Sequence, residues 1–157
     1  MKGILFWLVT VFSLVTVPMN AQDENVAQPR LTEERLNQTE GSLVKALESS
    51  SPGMQATASQ TIRDLKATFP DRSFSRLVIP LMRIVKNESA QSCNRILAAL
   101  ALHALRSEMG DFAISRQAKF SDCKRIRHLC GWLAYYRLIE QKPELAVTPG
   151  GATVVSK

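Results

Sequence analysis

Residues 74–85 and roughly 90–105 are two long apolar-rich segments joined only by the polar link Lys86-Asn87-Glu88-Ser89, and no other feature narrows the fold so far. A buried strand runs to about eight residues, so segments of this length, with Leu and Met among the Val and Ile, read as helices. So short a link folds them back on each other as a helical hairpin. Ser89 reads as the cap of the second helix. That helix carries Cys93, Ile96, Leu97, Leu100, Ala101, Ala104 and Leu105 on one broad face, and being apolar on most sides it is expected to be the most buried element. Pro80 lies inside the first segment, where it removes a helical hydrogen bond and bends the axis. The chain is therefore expected to be all-α, with this hairpin at its centre.

The N-terminus is set apart from that domain. Met1-Lys2 precedes a strongly apolar run, Ile4 to Val15, and then Pro18 and Asn20-Ala21-Gln22. A charged head, an apolar core and a small residue at the cut form an export signal, residues 1–21, cleaved near Ala21. The run is marginal for a hydrocarbon core of about 30 Å, which argues against an anchor. The product is expected to be periplasmic or extracellular. Residues 22–31 read as a flexible lead-in, residues 32–141 as one helical domain, and residues 142–157, with Pro149-Gly150-Gly151, as a disordered tail.

Within the domain, Thr32 caps a first helix that carries Leu36, Leu43 and Leu47, with a weak point around Gly41. Ser51-Pro52 starts a second, running to about Ala67, with the stripe Met54, Ala58, Ile62 and Leu65. Asp71 or Ser73 is the expected cap of the segment containing Pro80, and Gly110 the left-handed stop after residue 105. Residues 111–120 are ambiguous. Phe112, Ile114 and Phe120 recur at even spacing, which fits a short strand, a loop over the core or an early turn of helix. Ser121 caps a last helix to about Gln141, with Cys123, Ile126, Cys130, Leu133, Ala134 and Leu138 as its apolar set. The expectation is about five helices: two stacked hairpins and a C-terminal helix.

Charge divides the chain. Residues 22–71 carry five basic and eight acidic groups, whereas residues 72–140 carry twelve basic and five acidic. A basic half suits an anionic partner such as an acidic protein or a membrane surface; for an exported chain nucleic acid ranks last. Three cysteines are too few for a disulfide framework. Cys123 and Cys130 on one straight helix would lie about 10.5 Å apart along its axis, beyond the roughly 7 Å that a bridge spans. A bridge would therefore join Cys93 to Cys123 or to Cys130; the alternative is three small core side chains.

Laying residues 43–65 over 81–103 aligns Leu43 with Leu81, Leu47 with Val85, Ala58 with Ile96 and Ile62 with Leu100. Helix–loop–helix units at this spacing build stacked repeats. Leu77, Pro80, Leu81, Ile84 and Val85, the turn Asn87 to Ser89, and then Arg95, Ala98, Ala99, Ala101 and Leu102 resemble a HEAT repeat. The resemblance is strongest over residues 77–105 and weak over 43–66, and residues 111–141 depart from it, with no third clean pair of helices. In that family a bend at a proline of the first helix is common. The resemblance implies protein binding on a repeat surface and no catalysis.

Candidate chemistry is sparse. His128 sits two residues before Cys130, on the opposite side of a helix, so a metal site would require Cys93, His103, Cys123 and Cys130 to converge across helices. No glycine-rich phosphate loop is present. No metal and no cofactor is expected. The best candidate for a binding surface is the basic and aromatic set Arg116, Lys119, Lys124, Arg125, Arg127, Trp132, Tyr135, Tyr136 and Arg137, together with Phe120. The expected function is thus a non-catalytic, exported binding or scaffolding module whose partner is another envelope or secreted protein. Two alternatives remain: adsorption to an anionic membrane through a basic helix face, and a cysteine/histidine metal protein or enzyme.

Overall fold

The computed structural model describes residues 33–143. The expected export signal, the lead-in with the expected cap Thr32, and the expected tail from residue 144 lie outside the described residues. Within them the chain is entirely helical, in six helices: α1 Glu33–Glu48, α2 Pro52–Thr68, α3 Ser75–Lys86, α4 Ser92–Leu105, α5 Glu108–Phe120 and α6 Lys124–Gln141. The helices pair in chain order, α1 with α2, α3 with α4, and α5 with α6. The pairs stack in two layers: α1 packs on α3 and α3 on α5, while α2 packs on α4 and α4 on α6. A stack of this kind buries the apolar face that no single hairpin covers alone. Among the described residues no helix is long and apolar enough to cross a membrane.

The largest departure from expectation is α5. Residues 111–120 are neither strand nor loop but part of a thirteen-residue helix, so the domain has a third hairpin and six helices rather than five. The physical reason lies in what α5 buries. Its inward residues are Gly110, Ala113, Ile114 and Gln117, of which only Ile114 is large and apolar, whereas Phe112 and Phe120 face outward. Ser107, not a left-handed glycine, sets the boundary: its Oγ accepts the Gly110 N–H, 3.1 Å away, and Glu108 and Asp111 complement the helix N-terminus. Gly110 instead lies within the first turn of α5, and a Cβ there would sit 2.8 Å from that same Oγ. The left-handed residue that ends α4 is Arg106, at φ 54°.

Other starts also shift. Ser51 caps α2 with Pro52 in the first turn, as its sequence indicates. Neither Asp71 nor Ser73 caps α3, whose N-cap is Phe74 without a side-chain bond. Gln91 rather than Ser89 precedes α4, and Cys123 rather than Ser121 precedes α6. Helix α1 runs unbroken through Gly41 and buries Leu36, Leu43 and Leu47.

The core centres on the second hairpin. Leu77, Leu81 and Val85 of α3 and Ala98, Ala99, Ala101 and Leu102 of α4 have no solvent exposure. Helix α4 is rotated from its expected face. Ile96, Leu97 and Leu100 are only half-buried and Cys93 is exposed, while Asn94 and Arg95 are buried. The alanines bring neighbouring backbones close, and long polar side chains then reach across to them. Asn94 Nδ2 donates to the Pro52 carbonyl at 2.8 Å and holds the start of α2.

Arg95, 2% exposed, does the corresponding work between α3 and α5. Its Nε donates to the Val85 carbonyl at 3.0 Å, and Nη2 donates to Gln117 Oε1 at 3.2 Å and Ser121 Oγ at 3.1 Å. The Val85 carbonyl lies at the C-terminal end of α3, where unpaired carbonyls carry partial negative charge, and the Gln117 and Ser121 side-chain oxygens lie at the C-terminal end of α5. The guanidinium therefore needs no carboxylate: two helix ends stabilise it. Arg72 ties the α2–α3 turn to α1 through Glu33 and through Asn37 Oδ1 at 2.7 Å.

Candidate functional site

The basic and aromatic residues singled out in the sequence all lie on the third hairpin, but they do not form one surface. Helix periodicity separates them. On α6, Arg125, Trp132 and Tyr136 are spaced by seven and four and share a face. Trp132 and Tyr136 stack, with centroids 5.4 Å apart and planes at 26°, yet remain 56% and 48% exposed. Tyr136 also meets the edge of His103 at 6.4 Å, so this face adjoins α4. Tyr135, exposed, stands one turn from Trp132 on its other flank.

On α5, Arg116, Lys119 and Phe120 line a shallow depression together with Phe112 and Ser115. Ser115 and Asp111 border α6 beside Leu138, so Phe112, Arg116 and Phe120 occupy the side of α5 turned away from α6. Lys124 and Arg127 are exposed at the start of α6, and Arg127 donates to the Ser121 carbonyl at 3.3 Å.

Arg137 leaves the candidate surface altogether. Its side chain is 12% exposed; Nε donates to Asp111 Oδ2 at 2.9 Å and Nη1 to Glu140 Oε2 at 3.2 Å. It locks α6 to the start of α5, and Arg106 extends the network to Glu140 at 3.3 Å. A cation so engaged is a strut between helices rather than a recognition group.

Sequence reasoning missed Met109 and Phe112 as surface residues. Even spacing leaves Phe112 and Phe120 open to a strand, a loop over the core or a turn of helix; on α5 they are 66% and 72% exposed. The signal that finds them is the spacing of three, four and four in Met109, Phe112, Arg116 and Phe120, a single helical stripe interrupted by a charge.

The cysteines form no bridge. Cys93 points outward from the first turn of α4, and its neighbour Ser92, rather than Cys93, faces Cys123, with Oγ 3.8 Å from Sγ. Cys130 is fully buried, and burial pushes its thiol up to about 11. Cys123 is shifted the other way, chiefly by the Ile126 backbone N–H at the start of α6 and then by Ser92. Iodoacetamide is therefore expected to modify Cys93 and Cys123 in the folded protein and to spare Cys130 until denaturant is added, as peptide mass mapping would show. Modification of Cys130 at the rate of the other two in native buffer would contradict this packing. Among the described residues no three His, Cys, Asp or Glu side chains are grouped to hold a metal ion.

His103 lies in a small hollow of about 170 Å³ with Asp111 and Arg137. Among the described residues, His103 Nδ1 and Asp111 Oδ1 are buried without a hydrogen-bond partner. Burial first, and then the Arg137 charge, lower the His103 pKa; Glu140 and Asp111 oppose the shift and Arg106 adds to it. A histidine depressed in the folded state binds fewer protons there than when unfolded. Its contribution is complete above its unfolded value of about 6.5 and is lost as pH falls through the folded value. Urea midpoints are thus expected to decline below pH 6.5 more steeply in the wild type than in His103→Gln; parallel curves would show that His103 has no part in acid destabilisation.

No protein-family model, no curated protein and no solved structure matches the chain.

Proposed function

We propose that the chain is a non-catalytic binding module, a short stack of HEAT-like hairpins whose third hairpin receives a protein partner on the outer face of α6. The observation that carries this reading is the Trp132–Tyr136 stack, two large aromatic rings left about half exposed on one face of α6. Aromatic side chains flanked by arginine supply much of the energy at protein interfaces, because they bury large area at little rotamer cost. Arg125 lies on the same face and Tyr135 extends it. The first hairpin offers no comparable surface: Met54 is its one large exposed apolar side chain. An exported chain meets such a partner in the cell envelope or outside the cell.

The test is photo-crosslinking in the producing cell, with a benzophenone side chain at position 135 of the full chain. A discrete adduct that disappears in Trp132→Ala/Tyr136→Ala supports the reading. The same adduct in the double variant, or none from position 135, removes α6 as the partner's seat.

A further inference from the structure

Helix α5 presents a second unpartnered face, separate from the Trp132–Tyr136 face of α6. Met109, Phe112, Arg116 and Phe120 form one stripe along it, about 16 Å long at the rise of a helix. Met109, Phe112 and Phe120 are each more than half exposed. At the Met109 end the stripe meets an apolar hollow of about 250 Å³, lined also by Val78 and the exposed Ile79 of α3 and by Leu105 of α4. Arg116 and Lys119 lie among the phenylalanines, and neither forms an ion pair among the described residues.

We infer that this face docks on an anionic phospholipid surface, with Phe112, Phe120 and Met109 entering the headgroup–acyl boundary and Arg116 and Lys119 meeting lipid phosphates. Three observations favour that occupant. The first is shape: among the described residues, those lining the depression beside Phe112 and Phe120 all come from α5, so this part of the surface, where the basic residues lie, is the flank of one helix and not a cleft between two walls. A helix flank suits a flat, deformable surface, whereas a peptide helix needs a groove. The second is charge. A second copy of the chain would bring Arg116 and Lys119 against their own kind, whereas anionic lipid neutralises them. The third is arrangement: aromatic rings with basic side chains between them let the rings sink while the long stems of Arg and Lys carry their charges back to the phosphates.

The test is co-sedimentation of the full chain with vesicles of phosphatidylcholine alone and of phosphatidylcholine with phosphatidylglycerol. Any contribution of the apolar N-terminus is common to all variants, so the comparison between variants isolates α5. The expected result is stronger binding to the phosphatidylglycerol vesicles, fading with ionic strength, and a loss of about tenfold in partition for Phe112→Ser/Phe120→Ser and again for Arg116→Glu/Lys119→Glu. These positions are exposed, so circular dichroism and urea midpoints should match the wild type. Met54→Ser, an exposed apolar position on the first hairpin, should leave partition unchanged. Partition of both double variants equal to the wild type would overturn the inference. So would a wild-type dimer in sedimentation without vesicles that both double variants dissociate, which would assign the face to a second copy.

Discussion

Arg95→Ala is expected to destabilise the domain by about 4 kcal/mol, the largest effect of any single truncation outside the aliphatic core. The change removes three bonds from a charged donor and leaves the Val85 carbonyl, Gln117 and Ser121 buried without that partner. Each buried group so stranded costs roughly 1–3 kcal/mol, and the space of the lost side chain adds a cavity penalty. For a domain of this size the midpoint of thermal unfolding should fall by about 15 °C. Arg95→Lys keeps the charge but cannot span acceptors on two helix ends, so an intermediate loss of about 2 kcal/mol is expected. Urea unfolding followed by circular dichroism measures both. An Arg95→Ala midpoint indistinguishable from the wild type would mean that the guanidinium does not join α3 to α5.

Leu102→Ala should cost about 3 kcal/mol by a different route. Leu102 is fully buried in α4, and its Cδ2 lies 3.4 Å from where a Cβ on Gly110 would stand, so it packs directly under the first turn of α5. Truncation loses the transfer energy of the removed carbons and leaves a cavity that backbone on both sides prevents from closing. The expected fall in thermal midpoint is about 12 °C. The denaturant slope should be unchanged, since the surface exposed on unfolding hardly differs. A cost under about 1 kcal/mol would indicate that α5 moves freely over α4.

The two sites show what the sequence reveals and what it hides. The α3–α4 hairpin is legible because its apolar residues form long, unbroken runs, and α1 and α2 because Ser51-Pro52 and the leucine spacing mark their ends. Helix α5 is not legible from apolar periodicity, since its inward face is Gly110, Ala113, Ile114 and Gln117 while its largest apolar side chains face out. Burial of Arg95 and Asn94 is hidden for a related reason. A polar side chain enters the core only when a particular partner waits there, and those partners are 22 to 42 residues away in sequence for Gln117, Ser121 and Pro52. The candidate basic and aromatic residues stand out in composition, but their arrangement in space does not. The sequence shows no third clean pair of helices to carry them; in the structure Arg137 is consumed by Asp111 and Glu140, and the remaining residues divide between two faces of that hairpin.

Both proposed faces depend on residues 108–120 being a helix packed on α3, α4 and α6. Native-state hydrogen exchange of the backbone amides tests that most directly. Amides of Ile114 to Ala118 should be protected to the same degree as those of Ala98 to Leu102 and should open with them in a single unfolding event. Exchange of the 114–118 amides at the rate of free peptide, while those of α4 stay protected, would return this stretch to a loop and take the third hairpin with it.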